Sequence, residues 1–295
     1  MSEQVEPAKS TGRSQLGIGN PEEPRKLVRS IRDGVQAILL APFYRLYQAY
    51  LETQLAGWKR PAHIGIIMDG NRRFARMQRF GSVIYGHQRG ADKLEEVLGW
   101  CEQAGVDVVT VWIFSLDNFN RDPEEVEALL SLFERKFKEL IESPRVHEHR
   151  IRVRSLGQLE SLPESLQKVI REAEEATAHY ERRVLNIGVA YGGREEIIDA
   201  FRAYLRERGK AGNSVEEIAE NLEPDAIGKY LYTSHVPDPD LIIRTSGEVR
   251  LSGFLLWQSV YSEFYFCDTN WPAFRKIDFL RALRDYHNRQ RRFGR

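Results

Sequence analysis

Residues 63–73 read His63-Ile64-Gly65-Ile66-Ile67-Met68-Asp69-Gly70-Asn71-Arg72-Arg73. Over 63–68 the run is short, mostly apolar and rich in isoleucine, which predicts a buried strand. An acid, a glycine and two arginines close it, so polar groups gather where the strand ends. The same pattern recurs downstream. A helix over 90–104, stopped by Gly105, leads to a strand over 106–115. A long amphipathic helix over 123–142 follows, with Pro123 in its first turn. Then come a strand over 150–156, a helix over 163–178, a strand over 184–189 and a helix over 194–208. Two short helices within 214–231, strands at 241–244 and 264–266, and a terminal helix over 277–291 complete the series. Strand alternating with helix means βαβ units, so the expected fold is a single α/β domain over 60–295 with a mostly parallel central sheet flanked by helices.

Upstream the text changes. Residues 1–24 are polar and aperiodic, which reads as a disordered leader. Over 25–58 an amphipathic N-terminal helix is expected, with Val28, Ile31, Val35, Ile38, Leu39, Leu46 and Tyr50 on one stripe and a kink at Pro42. Its arginines suit either packing on the body or a second subunit, or peripheral contact with an anionic membrane surface. The 295 residues carry 43 basic and 43 acidic side chains and are 42% apolar, an ordinary globular composition. That balance argues against a nucleic-acid partner held by bulk charge. Cys101 and Cys267 are too few for a disulfide framework or a zinc site. No apolar run approaches the roughly 20 residues that span a bilayer. Met1-Ser2-Glu3-Gln4 lacks the basic-then-apolar opening of a secretory signal. A soluble, cytoplasmic protein is the expectation.

Ligands of parallel α/β sheets bind beyond the carboxyl ends of the strands. Those ends here read Asp69-Gly70-Asn71-Arg72-Arg73, then Ser115 to Arg121, then Arg244-Thr245-Ser246-Gly247-Glu248-Val249-Arg250-Leu251-Ser252, with Glu263 near the last strand. Guanidinium forks at Arg73, Arg121, Arg244 and Arg250, with backbone N–H groups near Gly70 and Gly247, suit a multiply charged phosphate. Asp69 and Glu263 are hard oxygen ligands of the kind Mg²⁺ takes alongside substrate phosphate. No P-loop, Gly-x-Gly-x-x-Gly or Asp-Asp-x-x-Asp motif is present, which removes support for ATP, dinucleotides and trans-type prenyl chemistry. Ile113, Leu129, Leu132, Phe133, Phe137, Phe254 and Trp257 add an apolar stock. A diphosphate with an apolar tail fits both halves. Singly, each residue has a plainer reading: Asp69 as a helix cap, the arginines as surface ion pairs, the apolar residues as core. The conjunction carries the inference.

Residues 63–75 resemble the first signature of the cis-prenyltransferases, the undecaprenyl diphosphate synthase family. Phe114-Ser115-Leu116-Asp117-Asn118-Phe119-Asn120-Arg121, Val189-Ala190-Tyr191-Gly192-Gly193-Arg194, the stretch 240–266 and Arg292-Phe293-Gly294 resemble further family blocks in the same order. The resemblance implies the cis-prenyltransferase fold with a hydrophobic tunnel. It implies condensation of isopentenyl diphosphate with an allylic diphosphate, forming a Z double bond with Mg²⁺. Position by position, Asp69 and Asn118 are implied as catalytic, and Asp69 and Glu263 as metal ligands. Gly70, Asn71, Arg72, Arg73, Phe74 and His87 are implied to hold the allylic diphosphate. Ser115, Leu116, Asp117, Phe119 and Arg121 are implied to line the shared site, and Arg244, Arg250, Leu251 and Ser252 to bind isopentenyl diphosphate. The Arg292-Phe293-Gly294 tail is implied to reach the partner's site in a homodimer.

Departures from the family pattern are informative. Phe74 and Phe119 stand where Trp is usual in the family, Gly253 where its long-chain members carry Asn, and Val249 where His is frequent. An arginine expected shortly before Gly86 is missing, so Arg76, Arg79 or Arg89 takes its part. Ile113 replaces a small residue that faces the tunnel, and a branched side chain there obstructs a growing tail. Together with Leu251-Ser252-Gly253-Phe254, this resembles short-chain Z-farnesyl diphosphate synthases of actinobacterial type and predicts a product of about that length. A long-chain decaprenyl or undecaprenyl synthase, a Mg²⁺-dependent phosphohydrolase and a non-catalytic subunit of a heteromeric synthase remain as alternatives at this point.

Overall fold

The structure, a computed structural model, describes residues 42–289. Two compact units divide the chain, 1–49 and 50–295. The leader over 1–24, the first half of the expected N-terminal helix and the Arg292-Phe293-Gly294 tail lie outside the described residues. Residues 42–54 are helical, so the kink expected at Pro42 falls at the edge of what is described, and a 3-10 turn follows over Leu55–Gly57.

Six strands, β1 (His63–Ile67), β2 (Val108–Trp112), β3 (Ile151–Leu156), β4 (Arg183–Gly188), β5 (Leu241–Arg244) and β6 (Glu263–Phe266), form one sheet in the order β3-β4-β2-β1-β5-β6. Every ladder is parallel. Besides the helix over 42–54, nine helices stand between and around them among the described residues: α1 (Asn71–Met77), α2 (Ile84–Ala104), α3 (Pro123–Glu142), α4 (Pro144–Glu148), α5 (Glu164–Thr177), α6 (Gly193–Lys210), α7 (Val215–Glu220), α8 (Pro224–Gly228) and α9 (Lys276–Asn288). All five residues of β1 and all four of β5 are buried, as a sheet covered on both faces requires. Alternation sorts them. Ile64, Ile66, Val109, Val111, Leu185, Ile187, Leu241 and Ile243 face the larger core, which includes Val97, Leu129, Phe133, Phe137 and Ile170 from α2, α3 and α5. Ile67, Ile242, Leu156 and Tyr191 join Phe254 and Leu255 in a smaller cluster.

Register decides what meets at the site. Arg244 of β5 aligns with Ile67 of β1, Ile67 with Trp112 of β2, and Trp112 with Gly188 of β4. The carboxyl ends of four neighbouring strands therefore lie in one row.

The chain departs from its sequence pattern in three places. β2 ends at Trp112 rather than 115, because Ile113 N–H and Phe114 N–H both turn to the Gly188 carbonyl and Ser115 N–H donates to Asn118 Oδ1 at 3.2 Å. That exchange starts the 3-10 turn Leu116–Asn120. α1 was foreshadowed only by the plainer reading of Asp69 as a helix cap, but its N-cap is Gly70, which supplies no side-chain cap. It is held instead by close packing on α2. A Cβ at Gly86 would stand 2.2 Å from the Asn71 carbonyl oxygen, so only glycine lets the two helices meet. α2 accordingly starts at Ile84, not at 90. α4 likewise had no signal beyond Pro144 at its start, and it gives His147 and His149 partners. His147 contacts the Ile141 carbonyl and Tyr180 Oη, and His149 contacts Glu102.

Candidate active site

Beyond the row of strand ends lies a cleft of about 380 Å³. Asp69 and Gly70 border it from the turn after β1, Asn71, Arg72, Arg73 and Arg76 from α1, His87 from α2, Ile113, Ser115, Asn118 and Arg121 from the segment after β2, Arg244 from the end of β5 and Ser252 from the segment after it. Five arginines around so small a volume make it an anion site.

Asp69 is held on every side. Its carbonyl accepts from Thr245 Oγ1 at 2.7 Å and from the Trp271 N–H at 2.9 Å. Its Oδ1 accepts from the Gly70 N–H at 2.7 Å, and its Oδ2 pairs with Arg244 Nη2 at 2.7 Å. Burial opposes ionisation, but hydrogen bonds from Arg244, Ser246 and Gly70 and the charge of Arg244 outweigh it and hold the carboxyl below its usual range. Gly70 sits at φ +101°, and a Cβ there would strike Asn270. The turn that aims Asp69 into the cleft thus needs glycine.

Arg244 is nearly buried and spans the site, donating from Nη1 to Ser252 Oγ at 2.9 Å and to the Arg250 carbonyl. Arg73 donates to the Ser246 carbonyl at 2.7 Å and pairs with Glu248, which also takes Arg250. His87 is largely buried, with Nε2 lacking a partner, and its pKa falls to about 4 through burial first and then the charges of Arg121 and Arg72. It is neutral at pH 7.

Behind the cleft is a second, apolar cavity of about 180 Å³ between α2, α3 and the sheet. Leu94, Leu98, Leu132, Phe133, Phe137 and Leu140 form its helical walls, and Ile151, Leu185 and Ile187 its floor. Met68, Asn71, His87, Trp112 and Ile113 border both cavities and so form the neck between them. An anion site opening onto an apolar channel is the arrangement a tailed diphosphate requires. Of the expected apolar stock, Ile113, Leu132, Phe133 and Phe137 line the channel. Leu129 is core, and Phe254 and Trp257 belong to the smaller clusters.

Several expected site residues stand elsewhere. Glu263 does not meet Asp69 within this chain. It opens β6 in the row of Leu241 and Ile64, three residues before Ile67, or about 10 Å along a parallel strand, and it pairs with Arg289 at 2.8 Å. Parallel strands put the first residue of one and the residue after another at opposite ends of the sheet. Arg250 is exposed and engaged by Glu248, so its carbonyl, not its guanidinium, meets Arg244. Phe119 turns edge-on to Phe114 at 4.9 Å, and Phe74 edge-on to Phe80 at 6.0 Å. Leu116 and Leu251 pack against the cores and Asp117 is exposed. Arg76 borders the cleft, whereas Arg79 and Arg89 line a separate groove with Phe80 and Tyr85. Met68 and Trp112 were missed. Their place immediately beside the strand ends was the available signal.

The donor set bears on Mg²⁺. Asp69 offers a charged carboxylate, about a third exposed, at the edge of the arginine cluster, which fits a cation held by one protein carboxylate and by substrate phosphate. No group of three or more potential ligating side chains occurs among the described residues, so an all-protein cage is not formed. Among them, too, no helix is long and apolar enough to cross a membrane.

Comparison with known proteins agrees with this geometry. Residues 67–294 match the prenyltransferase family model described as undecaprenyl diphosphate synthase. The chain is 54% identical over 239 residues to an isoprenyl transferase of Deinococcus radiodurans, covering 81% of this chain and 87% of that one. It is 48% identical over 269 residues to a tritrans,polycis-undecaprenyl-diphosphate synthase (geranylgeranyl-diphosphate specific) of Pyrococcus abyssi, covering 91% and 100%. Among solved structures it is similar to lavandulyl diphosphate synthase from Lavandula x intermedia in complex with dimethylallyl diphosphate. The TM-score is 0.72 at 34% identity, over 80% of this chain and 98% of that one.

Proposed function

The chain belongs to the undecaprenyl diphosphate synthase family of prenyltransferases, and from that premise we propose that it adds isopentenyl diphosphate in Z geometry to an allylic diphosphate and stops at about farnesyl length. Membership disfavours the phosphohydrolase reading. The observation that carries the length is the neck. Ile113 borders both the anionic cleft and the apolar channel, so a tail grown in the cleft must pass its branched side chain. Forcing a chain past a filled neck costs about 1–3 kcal/mol in displaced side chains. A channel does continue beyond, which means that trimming the neck opens usable space.

The placement supports the following roles. Arg72, Arg73, Arg76 and the backbone at Gly70 and Asn71 would hold the allylic diphosphate. Arg244 and Ser252 would hold the isopentenyl diphosphate. Asp69 would hold Mg²⁺, which when bound neutralises charge developing on the departing diphosphate. The arginines meet that same charge from fixed positions, so little reorganisation is needed as the carbon–oxygen bond breaks. Asn118 already spends its amide oxygen on the Ser115 N–H, which supports a role in orienting the second alkene. The apolar channel excludes water from the allylic cation.

A homodimer is part of the proposal. Ile198, Phe201 and Leu205 are exposed at helical spacing on α6 and form an apolar stripe. Sedimentation of the full chain should give a dimer, and Phe201→Glu should shift it toward monomer.

Product analysis tests the length. With geranyl diphosphate and excess isopentenyl diphosphate, the wild type should make chiefly one addition, and Ile113→Ala should extend the product. A wild-type ladder of long products would reject the short-chain reading.

A further inference from the structure

Two cleft arginines come from different elements and carry the same charge: Arg72 from the first turn of α1 and Arg121 from the residue after the turn Leu116–Asn120. Guanidinium groups so placed repel one another. Glu125, in the first turn of α3, stands between them. One carboxylate oxygen is 3.4 Å from Arg72 Nη2 and the other 3.2 Å from Arg121 Nη1. Only 9% of the Glu125 side chain is exposed, against 43% for Arg72 and 25% for Arg121. Burial lowers the pKa of Arg121, Glu125 counters this, and the charge of Arg72 adds to the lowering. Glu125 itself does not border the cleft.

We propose that Glu125 is a positioning residue: it ties α1 to α3 across the mouth and holds Arg72 and Arg121 together as a preformed receptor for the allylic diphosphate. The proposal rests on reading the cleft as a diphosphate site. Two effects of removing its charge oppose each other. Glu125→Gln leaves the protein one unit more positive, which by charge alone strengthens anion binding. It also frees two mutually repelling, rotamer-rich side chains that binding must then reorder. Burial decides between them. Both carboxylate oxygens already face guanidinium groups, so Glu125 projects little negative field into the cleft, and the loss of order dominates.

The sign is therefore the test. Calorimetric titration of the full chain with inorganic pyrophosphate should show Glu125→Gln binding about tenfold more weakly than wild type, roughly 1.4 kcal/mol. In turnover, KM for the allylic diphosphate should rise about tenfold while kcat stays within about threefold, a split that a general loss of fold does not produce. In an Arg72→Ala background the penalty should shrink, because the two changes act on one contact. Unchanged or tighter pyrophosphate binding by a folded Glu125→Gln protein overturns the proposal. Should that variant fail to fold, Glu125→Asp replaces it. A carboxylate one methylene shorter cannot span both arginines, so affinity should fall, and wild-type affinity would again overturn the proposal. A wild type that binds pyrophosphate but alkylates nothing would defeat the assigned reaction and leave the positioning role intact.

Discussion

Arg244 Nη2 lies 2.7 Å from Asp69 Oδ2, and the same guanidinium donates from Nη1 to Ser252 Oγ at 2.9 Å. One planar fork thus joins the acid after β1 to the loop after β5. The arginine is almost wholly buried and the aspartate about a third exposed, so the acid is the more open member of a pair that both border the cleft.

Arg244→Lys should therefore not behave as a conservative change. A lysine carries one compact ammonium and cannot meet Asp69 and Ser252 in the same geometry. We expect kcat/KM for isopentenyl diphosphate to fall by about 10- to 100-fold, as loss of a charge-assisted bidentate contact does. Steady-state kinetics within about threefold of wild type would contradict this account.

Gly70→Ala should be damaging out of proportion to its size. The residue occupies φ +101°, and an added Cβ would come within 2.5 Å of Asn270 Oδ1 and 3.0 Å of Asn270 Cα. Strain of this kind costs on the order of 1–3 kcal/mol. The turn also aims Asp69, so activity should drop together with denaturant stability, and a variant matching wild type in both would disprove the strain.

Tyr191→Phe probes the far side of the sheet. The hydroxyl donates to Glu196 Oε2 at 2.5 Å and accepts from the Leu255 N–H at 3.2 Å, while Gln258 Nε2 and the Tyr232 N–H donate to Glu196 Oε1, each at 2.9 Å. This buried network pins the segment that follows Ser252. Removing the hydroxyl leaves a buried donor and a buried carboxylate short of partners, worth about 1–3 kcal/mol. Urea denaturation should register that loss, and KM for isopentenyl diphosphate should rise as the Ser252 loop loosens.

Stability should decline as pH falls from about 6.5 toward 4. His63 is fully buried. Its Nδ1 lies 2.6 Å from the Pro237 carbonyl, which can only accept, so Nδ1 carries the proton and Nε2 accepts from Thr110 Oγ1 at 2.7 Å. Burial, opposed by Pro237 and Asp240, drops its pKa to about 4. The folded pKa lies below the unfolded value, so the unfolded chain takes up the proton first. The stabilisation is complete above about pH 6.5 and is lost on acidification, amounting to at most about 3 kcal/mol. Ring signals of His63 followed by NMR should stay neutral to below pH 5. Titration near 6.5 would refute the assignment.

Much of this protein was legible before folding. The short apolar runs at 63–67 and 241–243 announced strands covered on both faces, because parallel strands buried on both faces read as continuous rather than alternating apolar residues. Asp69, Arg73, Arg121 and Arg244 could be picked out because each stands at or just beyond a strand end. α1 was hinted at only by the reading of Asp69 as a helix cap, since the contact at Gly86 that holds it is one sequence spacing does not reveal. Arg76 was named as one of three candidates, and the helical turn that sets it beside Arg72 and Arg73 singled it out. Glu125 gave no signal as a bridge, because half of the bridge is fifty-three residues away.

Composition, alternation and motif order by themselves determined the fold class and the charge types gathered at the strand ends, because burial patterns and charge types are properties of local sequence. Only the tertiary structure decided which charges meet. Parallel register set Arg244 against Asp69 and carried Glu263 to the far end of the sheet, the turn out of β2 put Ile113 at the neck, and helix packing put Glu125 between two arginines. Such pairings depend on distances between segments remote in the chain, and no local pattern encodes them.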